Sequence, residues 1–130
     1  MKPDIKILVL DKEEIIFKSI QKALNNDAAF YDITYCTNAF DGLKNIRSDK
    51  FDLVLIDIVL PGMNAMEAIR RIKNIDSTVP VVVMSGSSLS GIDFQDEILN
   101  SAAGFLLKPF TTEEIKSLIL RVLKTNIAAE

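Results

Sequence analysis

Leu53-Val54-Leu55-Ile56-Asp57-Ile58-Val59-Leu60 sets seven apolar residues around one carboxylate. Its first four residues do not alternate apolar with polar, so a strand built from them is apolar on both faces and needs cover on both. A parallel sheet flanked by helices provides that cover. Ile7-Leu8-Val9-Leu10 and Val81-Val82-Val83-Met84 read the same way. Strands are therefore predicted at Ile5 to Leu10, Ile33 to Thr37, Leu53 to Ile56, Val81 to Met84 and Phe105 to Leu107. Between and after them apolar residues recur three or four apart, as in Ile16, Ile20, Ala23 and Leu24. This spacing predicts helices over Glu13 to Asn25, Ala39 to Arg47, Ala65 to Asn74, Ile92 to Asn100 and Thr112 to Asn126. Thr111 or Thr112, followed by Glu113 and Glu114, reads as a capped helix start, and the tail from Thr125 to Glu130 as a frayed helix end. Five strand–helix units with short connections predict an α/β domain, doubly wound, in three layers around a parallel sheet.

At 130 residues the chain is expected to form one domain, residues 1–130, with no second domain attached. With 48% hydrophobic residues, a core can form without disulfide or metal. There is no histidine and a single cysteine, Cys36, which removes Ser-His-Asp and Cys-His catalysis, histidine metal sites, zinc fingers and disulfide frameworks. Cys36 reads as a small buried apolar residue. The 15 basic and 18 acidic side chains give a net charge of -3, which argues against direct nucleic-acid binding. The longest apolar runs are far too short for a secretory signal or a membrane span, so a cytoplasmic protein with no membrane contact is expected.

Four predicted strands end on a charged or hydroxyl residue: Asp11, Asp57, Ser85 and Lys108. In a parallel sheet these ends lie along one edge, where such sheets place ligand sites. Burying an unpaired carboxylate costs several kcal/mol, so Asp57 must face a polar crevice with partners. The plainer role for it is a helix cap or a structural ion pair with Lys108. A carboxylate can also attack phosphorus and form an aspartyl phosphate. Phosphoryl transfer asks mainly for positioning and neutralisation of charged oxygens. Carboxylates can hold Mg²⁺, Lys108 can supply a point charge and Ser85 a hydrogen bond. The inventory fits self-phosphorylation on Asp57.

Taken in order, Ile7-Leu8-Val9-Leu10-Asp11, Val54 through Asp57 to Met63, Pro80 through Ser85 to Gly86, and Ala103-Gly104-Phe105-Leu106-Leu107-Lys108-Pro109-Phe110 resemble a two-component response-regulator receiver domain over the whole chain. The resemblance implies a flavodoxin-like (βα)5 fold with strand order 2-1-3-4-5. It further implies Asp57 as phosphoacceptor, and Asp11, Asp57 and the Val59 backbone carbonyl as Mg²⁺ ligands. Ser85 matches the hydroxyl switch position, Lys108 the lysine beside the phosphoryl group and Phe105 the aromatic switch position. The Lys108–Pro109 peptide is commonly cis in this family. The implied phosphodonor is a phosphohistidine on a sensor histidine kinase or histidine phosphotransfer protein. The output, delivered to an unknown effector or output domain, is implied to be read on the face around helix four, strand five and helix five, a face that could also pair two copies of the chain.

Lys12 departs from the family, which usually has a second acid there. Mg²⁺ binding is therefore expected to be weakened, with Glu13 close enough in sequence to reach back; Lys12 either lies near Asp57 or points into solvent. Asn64 and Ala65 replace the more usual Asp and Gly, so the turn from Pro61 to Ala65 is expected to differ slightly. Gly86, Gly91 and the serines Ser85, Ser87, Ser88 and Ser90 make the connection after the fourth strand Gly/Ser-rich, which predicts mobility. Met63 and Met66 read as packing or partner contacts. Two other functions compete. One is a receiver-like interaction module that never uses phosphate, hinted at by Lys12. The other is a flavin or nucleotide binder, which the acidic loop Asp11-Lys12-Glu13-Glu14 and the lack of a glycine-rich phosphate motif disfavour.

Overall fold

The computed structural model describes residues 4–25, 31–87 and 94–129, with side chains to residue 124. Its elements alternate without exception: β1 (Ile5–Leu10), α1 (Glu14–Asn25), β2 (Tyr31–Cys36), α2 (Ala39–Ser48), β3 (Leu53–Asp57), α3 (Ala65–Ile75), β4 (Val81–Ser85), α4 (Gln95–Ser101), β5 (Gly104–Leu107) and α5 (Thr112–Ala129). The strands form one parallel sheet in the order β2-β1-β3-β4-β5, the flavodoxin-like arrangement expected.

The two-sided apolar strands explain the layers. Leu8 and Leu10 of β1, Val54 and Ile56 of β3, and Val81 and Val83 of β4 share one core with Leu43 and Ile46 of α2, Ile69 and Ile72 of α3 and Ile98 of α4. The alternate residues, Ile7 and Val9, Leu53 and Leu55, Val82 and Met84, form a second core with Ile20 and Leu24 of α1 and Ile115 and Ile119 of α5. Successive side chains of a strand point to opposite faces, so each central strand serves both cores. Every residue of β3 and β4 is buried. Each buried leucine or isoleucine here would cost about 2–5 kcal/mol to truncate to alanine.

Local chemistry sets the helix starts. Asn38 and Asn64 each accept a hydrogen bond from the backbone three residues on, from Asp41 and Glu67, both at 2.9 Å. At α5, Thr111 Oγ1 accepts the Glu114 N–H and Glu114 Oε1 accepts the Thr111 N–H, both at 3.1 Å, a reciprocal capping box that settles Thr111 as the cap. In the turn before α3, Gly62 takes a φ of 84°, left-handed backbone that glycine adopts at little cost.

Boundaries differ from expectation in places. β2 starts two residues earlier than predicted, at Tyr31, and stops at Cys36, because it pairs with β1 from Ile5↔Tyr31 to Leu10↔Cys36. α4 starts at Gln95, and Ile92 lies outside the described residues. Phe94 has a φ of 62°, left-handed backbone that cannot belong to a right-handed helix, so the helix begins only after it. Ser88, Ser90 and Gly91 of the Gly/Ser-rich connection also lie outside the described residues. α5 continues to Ala129, three residues past the predicted end at Asn126.

Candidate functional site

β1 and β3 deliver their acids to the same edge of the sheet. Asp11 follows β1 directly and is fully buried; Asp57 ends β3 and is 4% exposed. Each carboxylate is oriented by a backbone N–H two residues ahead: Glu13 N–H donates to Asp11 Oδ1 at 2.8 Å and Val59 N–H to Asp57 Oδ1 at 3.1 Å. The chain at Asp11 is fixed by its own N–H donating to the Cys36 carbonyl at 3.1 Å, and the chain beyond Asp57 by the Ile58 N–H donating to the Met84 carbonyl at 2.9 Å.

Lys108 reaches this pair from the end of β5. Its ammonium donates to Asp11 Oδ2 at 2.6 Å and to Asp57 Oδ2 at 2.9 Å. Its backbone N–H donates to the Ser85 carbonyl at 2.8 Å, and the Lys108–Pro109 peptide bond is cis. Burial pulls the Lys108 amine downward, but its hydrogen bonds to Asp11 and Asp57 outweigh this and hold it above the ordinary lysine value. Burial pushes the Asp11 carboxyl above its usual range, and the neighbouring Asp57 charge adds to the rise against the pull of Lys108 and the Glu13 N–H.

Glu13 completes a cluster. One carboxylate oxygen from each of Asp11, Glu13 and Asp57 lies within 4.8 Å of the others. Three carboxylates against the single Lys108 ammonium leave an excess of two negative charges beside a buried edge. A hard divalent cation with oxygen ligands suits both the donor set and that excess. Lys12 turns outward: it is exposed and, among the described residues, forms no ion pair.

Ser85 is 4% exposed, at the end of β4. Its hydroxyl donates to the Ser87 carbonyl at 2.5 Å and accepts the Ser87 N–H at 3.2 Å, so it is engaged with its own loop. Phe105 lies on β5, 38% exposed. With Leu107 it borders a groove of about 440 Å³ against Glu113, Ser117, Leu118 and Arg121 of α5. Four sequence-predicted residues thus converge at one edge (Asp11, Asp57, Ser85 and Lys108), while Phe105 sits on the outer face of β5. The backbone donors of Glu13, Val59 and Ser87 carry no side-chain signature in the sequence; an acid or hydroxyl followed two residues later by a loop backbone N–H is the pattern they share. Cys36 is buried, as expected, with Asn45 Nδ2 donating to its sulfur at 3.3 Å. Met66 is a core residue and Met63 packs at its margin.

Residues 7–120 match the family described as the response regulator receiver domain. The chain belongs to that family. Among curated relatives, the uncharacterized transcriptional regulatory protein YkoG of Bacillus subtilis is 30% identical over 125 residues, covering 92% of this chain and 51% of the relative. The transcriptional regulatory protein CseB of Streptomyces coelicolor is 31% identical over 121 residues, covering 91% and 49%. The chain therefore spans about half the length of these relatives. Among solved structures, a CheY-like response regulator receiver domain protein from Methanospirillum hungatei superposes with a TM-score of 0.86 at 22% identity, over 98% of this chain and 100% of that one, a likeness of fold. As a receiver domain of two-component systems, the chain is a signal-receiving element, and its acidic edge is compatible with Mg²⁺ and a phosphorylated aspartate.

Proposed function

We propose that Asp57 is the phosphoacceptor, taking a phosphoryl group from a phosphohistidine on a sensor histidine kinase or histidine phosphotransfer protein. The observation that carries this reading is the buried Asp57 carboxylate at the sheet edge, held by the Val59 N–H and by a Lys108 ammonium shared with Asp11. In the transfer a bond forms between an Asp57 oxygen and phosphorus, the bond from phosphorus to the donor imidazole breaks, and the imidazole leaves on the partner. With no histidine among these 130 residues, the domain must meet that donor outside itself.

Asp11, Asp57 and the Val59 backbone carbonyl, with Glu13, are the residues proposed to hold Mg²⁺, and Lys12 weakens that binding by standing where a second acid would add charge. Held there, Mg²⁺ would supply positive charge to offset that of the phosphoryl oxygens. Lys108 stabilises the same oxygens as a point charge. Ser85 must give up its contacts with Ser87 before its hydroxyl can turn to a phosphoryl group, which couples phosphorylation to the loop after β4. Phe105, without a hydroxyl, responds through ring packing.

Residues 1–130 are read as one receiver domain that is not an enzyme toward external substrates and catalyses only its own phosphotransfer and dephosphorylation. The output passes through the face of α4, β5 and α5, where exposed Leu99, Phe105 and Leu107 also suit pairing of two copies. The names of YkoG and CseB favour transcription control as the output class, delivered to a separate effector or output domain, with no nucleic acid bound by this domain itself. A cytoplasmic location belongs to the same proposal; among the described residues no helix is long and apolar enough to cross a membrane. Incubation with a small phosphodonor tests the assignment: the native chain should gain one base-labile, hydroxylamine-sensitive phosphoryl group and Asp57→Asn none. Equal labelling of the two proteins overturns it.

A further inference from the structure

Apart from every residue of the Asp57 site, the last turn of α2 and one side of α3, from Glu67 in its first turn to Ile75 at its end, border a groove of about 460 Å³. Arg47, Glu67, Arg70, Arg71, Asn74 and Ile75 line it. Three guanidinium groups line it against Glu67, and Glu97 pairs with Arg70 beside it, so one positive charge is left without a carboxylate, on a chain whose net charge is -3. The uncommitted donors lie on Arg47 and on the terminal nitrogens of Arg71. Arg70 donates outward to Glu97 at 2.6 Å, and Arg71 gives only its Nε to Glu67 at 3.1 Å. Among the described residues, the side chains of Arg47 and Asn74 have no hydrogen-bond or ion-pair partner. Glu67, the one acidic lining residue, is already engaged by Arg71. The dipole of α2 accounts for a basic residue in its last turn. It does not account for Arg71 and the Asn74 amide beside it in the same groove.

We propose that this groove docks an acidic segment of a partner protein, with carboxylates on Arg47 and Arg71 and an apolar side chain on Ile75. Guanidinium forks match carboxylates in a two-bond geometry, and one carboxylate on Arg47 balances the unpaired charge. Ile75, 36% exposed, gives the groove an apolar wall that a free inorganic anion would leave uncovered. A nucleic acid needs an extended basic stripe, and the acidic remainder of the chain repels one.

The test is a titration of the full chain, followed by amide NMR shifts, with three probes: a blocked peptide alternating glutamate and leucine, its lysine–leucine counterpart, and inorganic phosphate. The glutamate peptide should give saturable shifts centred on residues 44–50 and 67–75, and neither other probe should. Combining Arg47→Ala with Arg71→Ala should weaken that binding by about tenfold or more. Arg47→Glu, a second and independent variant, should lose the glutamate peptide and gain the lysine one. No saturable shift at millimolar glutamate peptide, the same shifts with phosphate alone, or unchanged affinity in both variants overturns the proposal.

Discussion

Lys108 is one cation shared by two buried acids, and the electrostatics of the site turn on it. Its side chain is 12% exposed while those of Asp11 and Asp57 are 0% and 6%, so water does little to screen the three charges. Replacing it as Lys108→Met leaves two carboxylates facing each other without compensation. The expected loss is about 3–5 kcal/mol of unfolding free energy at neutral pH, measured by urea denaturation. Adding Asp57→Asn to that variant should restore part of the loss; no restoration would mean that the lysine acts through packing and not charge. The raised pKa of Lys108 fixes a sign as well. Its contribution is fully present below the unfolded lysine value of 10.5 and is lost as pH rises through the higher folded value, so stability should fall on the alkaline side.

Asp11 works in the opposite sense. An acid whose folded pKa is raised favours folding most below its unfolded value of 3.8, and that advantage disappears as pH rises through the folded value. At neutral pH its charge therefore opposes folding. Asp11→Asn leaves the Asp57–Lys108 pair balanced and keeps an oxygen for the Glu13 N–H. It should unfold at a higher urea midpoint than the native chain at neutral pH, with the gap narrowing in acid, while losing Mg²⁺-dependent phosphorylation. A lower midpoint at neutral pH would contradict this balance of charges.

Among the elements, α4 is the least tied. It has seven residues and one buried side chain, Ile98, and its N-cap, Phe94, makes no side-chain cap hydrogen bond. Arg70 of α3 supplies what holds its first turn, an ion pair to Glu97 at 2.6 Å and a guanidinium 5.4 Å from the centre of the Phe94 ring. Both contacts are partly exposed, so Arg70→Ala should cost the whole fold no more than about 1 kcal/mol. Amide hydrogen exchange within Gln95–Ser101 should nevertheless accelerate while β3 and β4 stay protected. Uniform acceleration across the sheet would rule out a local hold. The sequence reveals little of this arrangement. Strand runs such as Leu53–Ile56 announce themselves through unbroken apolarity. The start of α4 depends instead on one left-handed residue, and β2, an edge strand with exposed Asp32, owes its bounds to pairing with β1. Asp11, Asp57, Ser85 and Lys108 were legible because each interrupts or ends an apolar run. The backbone donors that aim them, and the outward turn of Lys12, depend on loop geometry that composition does not encode.

For the whole molecule, the two cores act as a rigid frame that brings Asp11 and Asp57, 97 and 51 positions from Lys108 in sequence, to its single ammonium just past β5. Both carboxylates leave the central strands β1 and β3, while Lys108 arrives from the edge strand, so the site spans most of the sheet's width. A charge added at Asp57 therefore acts on the edge strand and on the loop after β4 together, the parts nearest the proposed output face. Intact mass of the native chain after incubation with a small phosphodonor, with Mg²⁺ and with a strong chelator, alongside Asp57→Asn, tests this account most directly. The account predicts one phosphoryl group on the native chain with Mg²⁺, little or none in chelator, and none on Asp57→Asn under either condition. A phosphoryl group retained by Asp57→Asn, or incorporation undiminished by the chelator, would contradict it.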